Sequence, residues 1–157
     1  MNKIIVLLLF MLPLFFEVNA QSRIDSEQTE IIQFSVLTNT SSKKMESSQV
    51  LQSKIINEKI SADTHPLNDE GIIQFDITDA DGKIIYSVKQ DNPSFINYEY
   101  SNEKGELGHY KNIEPQATLL VKFPVLKNAA SIKVYQIDAD GKQILISLFT
   151  FQNNLWK

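Results

Sequence analysis

Residues 71–88 read GIIQFDITDADGKIIYSV, and this stretch decides the fold class. Ile73, Phe75 and Ile77 alternate with Gln74, Asp76 and Thr78. Successive side chains of an extended chain point to opposite faces, so a period of two marks a half-buried strand. After Asp79-Ala80-Asp81-Gly82 the same period resumes at Ile84, Tyr86 and Val88. Two such runs around a short polar stretch predict a β-hairpin.

The stretch DADGK recurs as Asp138-Ala139-Asp140-Gly141-Lys142, again between β-like runs, KVYQI and KQILISL. Alternate carboxylates before a glycine suggest calcium, which takes oxygen ligands. A calcium loop of the EF-hand type needs an acid or amide at position 1 and a glutamate at position 12. With Gly82 at position 6, those places hold Ile77 and Val88; with Gly141 there, they hold Gln136 and Ser147. The outer ligands are missing, and strands stand where helices should. The turn reading fits the residues better. Glycine accepts a positive φ at no steric cost, and a leading aspartate accepts N–H bonds within its own turn. Asp79, Asp81, Gly82, Asp138, Asp140 and Gly141 are therefore read as structural turn residues. No metal and no other cofactor is expected.

Further strands follow on both sides. Glu30–Thr38 alternates through Ile32, Phe34 and Val36; Ser94–Tyr100, Thr118–Pro124 and Ser131–Ile137 are similar. Gln143–Phe151 is apolar on both faces and reads as a central, doubly covered strand. Asn39–Ser48 and Ser101–Gly108 read as polar loops, His109 and Tyr110 as loop residues, and 153–157 as a short tail holding Trp156. Residues 50–60 suit a strand or a helix face, with strand favoured by the neighbours. Short strands separated by regular turns predict an all-β chain. The expected architecture is an immunoglobulin-like β-sandwich of about seven or eight antiparallel strands.

The first twenty residues have the layout of a secretory signal peptide. Lys3 precedes an apolar run from Ile4 to Phe16, and Val18-Asn19-Ala20 provides a cleavage site. The run is shorter than the roughly 20 residues that span a bilayer. Residues 1–20 are thus expected to be removed, 21–29 to form a flexible lead-in, and 30–157 to form a single β-sandwich domain. The protein is expected to be exported, to the periplasm, outer surface or medium, with no membrane insertion after cleavage. Cleavage removes Lys3 and Glu17, leaving 14 basic and 18 acidic residues from the original 15 and 19, a net charge of −4 as before. Such a balance offers no basic stripe for nucleic acid. The chain has no cysteine, so disulfides, thiolate zinc sites and cysteine catalysis are excluded.

No catalytic motif is present. His65 and His109 lie far apart in unlike contexts, and HExxH, GxSxG and phosphate-binding glycine loops are absent. A hydrolase using paired carboxylates is the third reading, with Asp76, Glu99, Glu103, Glu106 and Glu114 as its candidates. An enzyme is not expected. Phe95, Tyr98, Tyr100 and Tyr110 cluster among Asn92, Asn97, Asn102 and Glu99. Aromatic faces beside amides can stack on sugars or dock peptides; the same rings could equally cap a sandwich edge. The first functional expectation is a non-catalytic binding or accessory module for a protein or envelope partner. The alternative is a carbohydrate-binding module that uses Phe95, Tyr98, Tyr100 and Tyr110.

The pattern D-x-x-G-K-x-x-Y-S, a later apolar strand ending in proline, and then I-x-V-Y are carried by Asp79, Gly82, Lys83, Tyr86 and Ser87, by Phe123-Pro124, and by Ile132, Val134 and Tyr135. In this the chain resembles exported β-sandwich domains of Bacteroidetes, the nearest being the N-terminal domain of IgA-type metallopeptidases. The resemblance spans about Gly71 to Phe151. It implies an immunoglobulin-like accessory module without the catalytic domain, and it carries over no catalytic residue.

Overall fold

The structure is a computed structural model, and it describes residues 27–59, 71–152 and 155–157. The expected signal peptide, most of the expected lead-in, and His65 lie outside the described residues. The described chain is all-β. Its strands are β1 (Thr29–Asn39), β2 (Lys44–Ile56), β3 (Ile72–Thr78), β4 (Ile84–Asp91), β5 (Phe95–Ser101), β6 (Leu107–Ile113), β7 (Gln116–Pro124), β8 (Ser131–Ile137), β9 (Gln143–Gln152) and β10 (Leu155–Trp156). All pairings are antiparallel. One sheet runs β2-β1-β7, a second runs β10-β9-β8-β3-β4, and β5 pairs only with β6.

The first two sheets form the sandwich. Alternation drives the packing: Ile32, Phe34 and Val36 of β1 and Val121 and Phe123 of β7 turn inward from one sheet. Ile73, Phe75 and Ile77 of β3 and Ile132 and Val134 of β8 meet them from the other. Phe34 sits at the centre, its ring 5.1 Å from that of Phe75 and 5.6 Å from that of Phe149. Burying a side chain of this size contributes on the order of 1.5–3 kcal/mol. β3 is also buried on its outer face. There Asp76 accepts hydrogen bonds from Gln74 (2.7 Å) and from Ser87 (2.6 Å). Burial, and then the charge of Asp76, push the Tyr135 phenol above its ordinary range.

Both DADGK stretches close hairpins, and their geometries match. Asp79 Oδ1 accepts the N–H groups of Asp81 and Lys83, and Asp138 Oδ1 those of Asp140 and Lys142. Gly82 and Gly141 carry φ values of 80° and 77° and donate to the carbonyls of Asp79 and Asp138. The leading carboxylate is thus occupied with its own backbone. The second aspartate of each stretch contributes only its main chain to these bonds.

One side of the sandwich is closed by side chains. Gln136 of β8 accepts the Met45 N–H (2.8 Å) and donates to the Lys43 carbonyl (3.2 Å). Ser147 of β9 accepts the Ser48 N–H (3.2 Å). Several outer backbone groups of β2 are therefore met by the facing sheet, which blunts that edge. The end of the core is closed by Trp156. Its ring lies 4.9 Å from Phe151, and its indole N–H donates to Glu30 of β1 at 2.8 Å. Glu30 is buried, and desolvation raises its pKa above the ordinary 4.5, opposed in part by the indole bond.

Several expectations need correction. The described residues make ten strands where about seven or eight were expected, within the all-β class that was expected. Residues 44–48 extend β2 where a loop was expected, and the ambiguous stretch from residue 50 is strand as far as Ile56. Residues 107–110, expected to be loop, belong to β6, and Trp156 belongs to β10 instead of a free tail. Strand β9 is not doubly covered. A bulge at Ile146, between the Val134–Ser147 and Tyr135–Leu145 pairs, puts Leu145 and Leu148 on the outer face, each more than half exposed. Its inner face carries Ile144, Ser147 and Phe149. The bulge, not a second layer, accounts for the apolar residues on both sides.

Candidate functional site

The aromatic residues singled out in the sequence fall on β5 and β6. This two-stranded ribbon is inserted between β4 of one sheet and β7 of the other. An isolated two-stranded ribbon is marginal in water, so its supports matter. The base is a small buried polar junction. The Asn92 N–H donates to the Gly71 carbonyl, and Asn92 Oδ1 accepts the Ser94 N–H. The Thr38 hydroxyl donates to Ser94 Oγ at 3.0 Å, and the Ser94 carbonyl accepts the Glu114 N–H at 2.8 Å. Thr38, Asn92 and Ser94 are all buried. Phe95 completes the base. Its ring lies against Gly71, where a Cβ would come within 2.6 Å of it. Phe95 is therefore an anchor, separate from the exposed tyrosines.

The tip repeats the turn seen twice in the sandwich, now headed by an amide. Asn102 Oδ1 accepts the N–H groups of Lys104 (2.9 Å) and Glu106 (3.0 Å). Asn102 Nδ2 donates to the Glu106 carboxylate at 2.7 Å. Gly105 has φ of 78° and donates to the Asn102 carbonyl. The spacing Asn102-x-x-Gly105 matches Asp79-x-x-Gly82 and Asp138-x-x-Gly141. That match is the sequence signal by which β6 could have been found.

Register sorts the ribbon into two faces. Tyr98 pairs with Tyr110, Tyr100 with Gly108 and Ile96 with Asn112, so these six share one face. Asn97, Glu99, His109 and Lys111 lie on the other. There His109 Nδ1 stands 3.8 Å from the Glu99 carboxylate. Tyr98, Tyr100 and Tyr110 are 46%, 56% and 57% exposed. The Tyr98 and Tyr110 rings stack at 6.3 Å with 26° between their planes. The hydroxyl end of the Tyr100 ring lies against Gly108, where a Cβ would fall 2.5 Å from Cζ. Glycine within a strand often marks such a close approach. The structure thus brings three of the four aromatics to one exposed face and gives the fourth to the base. Gly108 and Asn112 complete that face, and the sequence reading did not single them out.

The candidate carboxylates are spread over the molecule. Asp76 is buried in its bonds to Gln74 and Ser87, and Glu99 faces His109. Glu106 serves the tip turn and Glu114 accepts from Asn112 at 3.0 Å, while Glu103 is an exposed turn residue. Among the described residues no three His, Asp or Glu side chains are grouped to hold a metal ion. No described helix is long and apolar enough to cross a membrane. Compared with family models, with curated proteins and with solved structures, the chain finds no match.

Proposed function

We propose that this chain is an exported, non-catalytic binding module that engages a protein or envelope partner through the tyrosine face of the β5–β6 ribbon. The observation that carries this reading is the exposure of Tyr98, Tyr100 and Tyr110 together on a ribbon anchored by a buried polar base. Tyrosine presents a large, rigid contact surface with a polar tip, which suits recognition. Solvent-exposed rings on one face do little for the sandwich core, so a partner gives them a use. The leader-like residues Lys3 and Ile4–Phe16 support export.

The test is capture from the native exported fraction by the wild-type protein and by a Tyr98→Ala/Tyr100→Ala/Tyr110→Ala variant. Partner recovery is expected to fall at least about tenfold in the variant, as for loss of a central aromatic contact. The melting temperature should stay close to that of wild type. Equal recovery by both proteins overturns the reading. So does turnover of a substrate by the wild-type protein in a hydrolase panel.

A further inference from the structure

The tyrosine face is chemically one-sided. Ile96, Tyr98, Tyr100, Gly108, Tyr110 and Asn112 carry no charge, and Glu99, His109 and Lys111 lie on the reverse face; the charge that borders the tyrosine face is the Glu114 carboxylate, which accepts the Asn112 amide N–H at 3.0 Å. Uncharged rings bordered by one hydrogen-bonded carboxylate disfavour an anion, which would lose hydration and gain no countercharge, while a neutral ligand has no ionic hydration to lose. Leu107 pairs with Ser101 and belongs to the reverse face too, so only Ile96, at the base, is aliphatic on the tyrosine side. What remains is ring surface, phenolic hydroxyls and an amide that is bonded to the Glu114 carboxylate. Protein interfaces generally need a well-packed apolar centre. Ring surface bordered by hydrogen-bonding groups suits a ligand that itself has apolar C–H faces and a rim of hydroxyls.

Tyr100 is the ring of this face with a fixed support. Its hydroxyl end rests on Gly108, and the residue is still more than half exposed. Gly108 has no positive φ, so its backbone does not require glycine. What requires glycine is the ring above it. The atoms that an added Cβ would strike are the far end of the tyrosine side chain. A methyl group at 108 therefore lifts the ring and leaves the strand where it is.

Resting on the ribbon reading above, we infer that the partner is a neutral saccharide. It stacks on the Tyr100 ring, and Gly108 is the residue that sets the plane of that platform. Tyr98 and Tyr110 extend the contact along the ribbon.

The experiment is calorimetric titration of the purified protein with neutral hexasaccharides of glucose, mannose and N-acetylglucosamine. Hexagalacturonate serves as the charged control. At least one neutral hexasaccharide should bind saturably, and hexagalacturonate should not. Gly108→Ala should weaken binding about tenfold, the loss of roughly one stacked ring, with an unchanged melting temperature. If Gly108→Ala shifts the melt, Tyr100→Leu decides, since it removes the ring and leaves Gly108 alone; it should weaken binding equally. The inference is overturned by no neutral binding, by equal binding of hexagalacturonate, or by variants that bind as well as wild type. If saccharides fail while tyrosine-dependent capture of a partner persists after glycosidase treatment, the ribbon reading stands and the saccharide assignment falls. If capture is also insensitive to the tyrosines, both fall.

Discussion

The sandwich and the ribbon solve the same problem by different means. In the sandwich, Phe34, Phe75 and their neighbours are hidden from water, and burial holds the sheets together. The ribbon has almost nothing to hide. It is held by a buried polar junction at its base, an asparagine turn at its tip, and the Phe95 ring laid on Gly71. Apolar burial fixes a body; here local hydrogen bonding and ring-on-backbone contact fix an appendage. The two regions should therefore fail separately.

The largest effect is expected in the body. Phe34→Ala removes a fully buried ring with two aromatic neighbours and should cost about 3–5 kcal/mol in a urea titration. Every strand should lose stability together. A loss confined to the ribbon would erase the distinction.

The next effect belongs to the ribbon. Gly71→Ala places a Cβ at φ of 77° and into the Phe95 ring. The strain alone is about 1–3 kcal/mol. Amide exchange should accelerate at residues 96–112 more than in β3 and β8. Equal acceleration throughout would mean that the base is part of the common core.

A smaller loss is expected at the turns. At Gly82 and Gly141 an added Cβ meets nothing within 4 Å, so only the positive φ opposes it. Each Gly→Ala change should cost about 1 kcal/mol. Asp81→Asn and Asp140→Asn should be nearly silent in thermal melts, with millimolar calcium or with chelator. A calcium-dependent rise in melting temperature that these asparagines abolish would restore the metal reading.

The smallest effect is electrostatic. The pKa of Glu30 is raised in the folded state. Its contribution is thus fully present below the ordinary value near 4.5 and fades as pH climbs through the raised value. Glu30→Gln keeps an acceptor for Trp156 and removes that titration. Its melting temperature should gain on wild type as pH rises from 4.5 to 7. A gap that narrows over this range would mean that the indole bond outweighs desolvation.

What the sequence disclosed follows from the same contrast. Strands β1, β3, β7 and β8 were legible because each turns an apolar face to the core and a more polar one away from it, and that division writes a period of two into the residues. Strand β6 left no such trace: LGHYKNI faces water on much of both sides, so hydropathy does not mark it as a strand. The first half of β2 was hidden for a related reason, since its edge is met by Gln136 and Ser147 instead of by an apolar strand. β10 is too short to show any period, and the bulge at Ile146 made β9 look covered on both sides. The aromatic cluster was visible as composition. Which ring anchors and which rings face outward depends on register, and register arises only when β5 meets β6.

The buried junction of Thr38, Asn92 and Ser94 has a consequence for how such a molecule can diversify. The contacts that seat the ribbon on the sandwich lie in the flanks, at Gly71, Asn92, Ser94, Phe95 and Glu114, and residues 97–111 add little to the core. The intervening stretch is a replaceable cassette. Its residues are free to drift, lengthen or be exchanged for a different recognition surface while the flanks hold the same seat, and a library randomised there should yield folded proteins at a far higher rate than one randomised in β1.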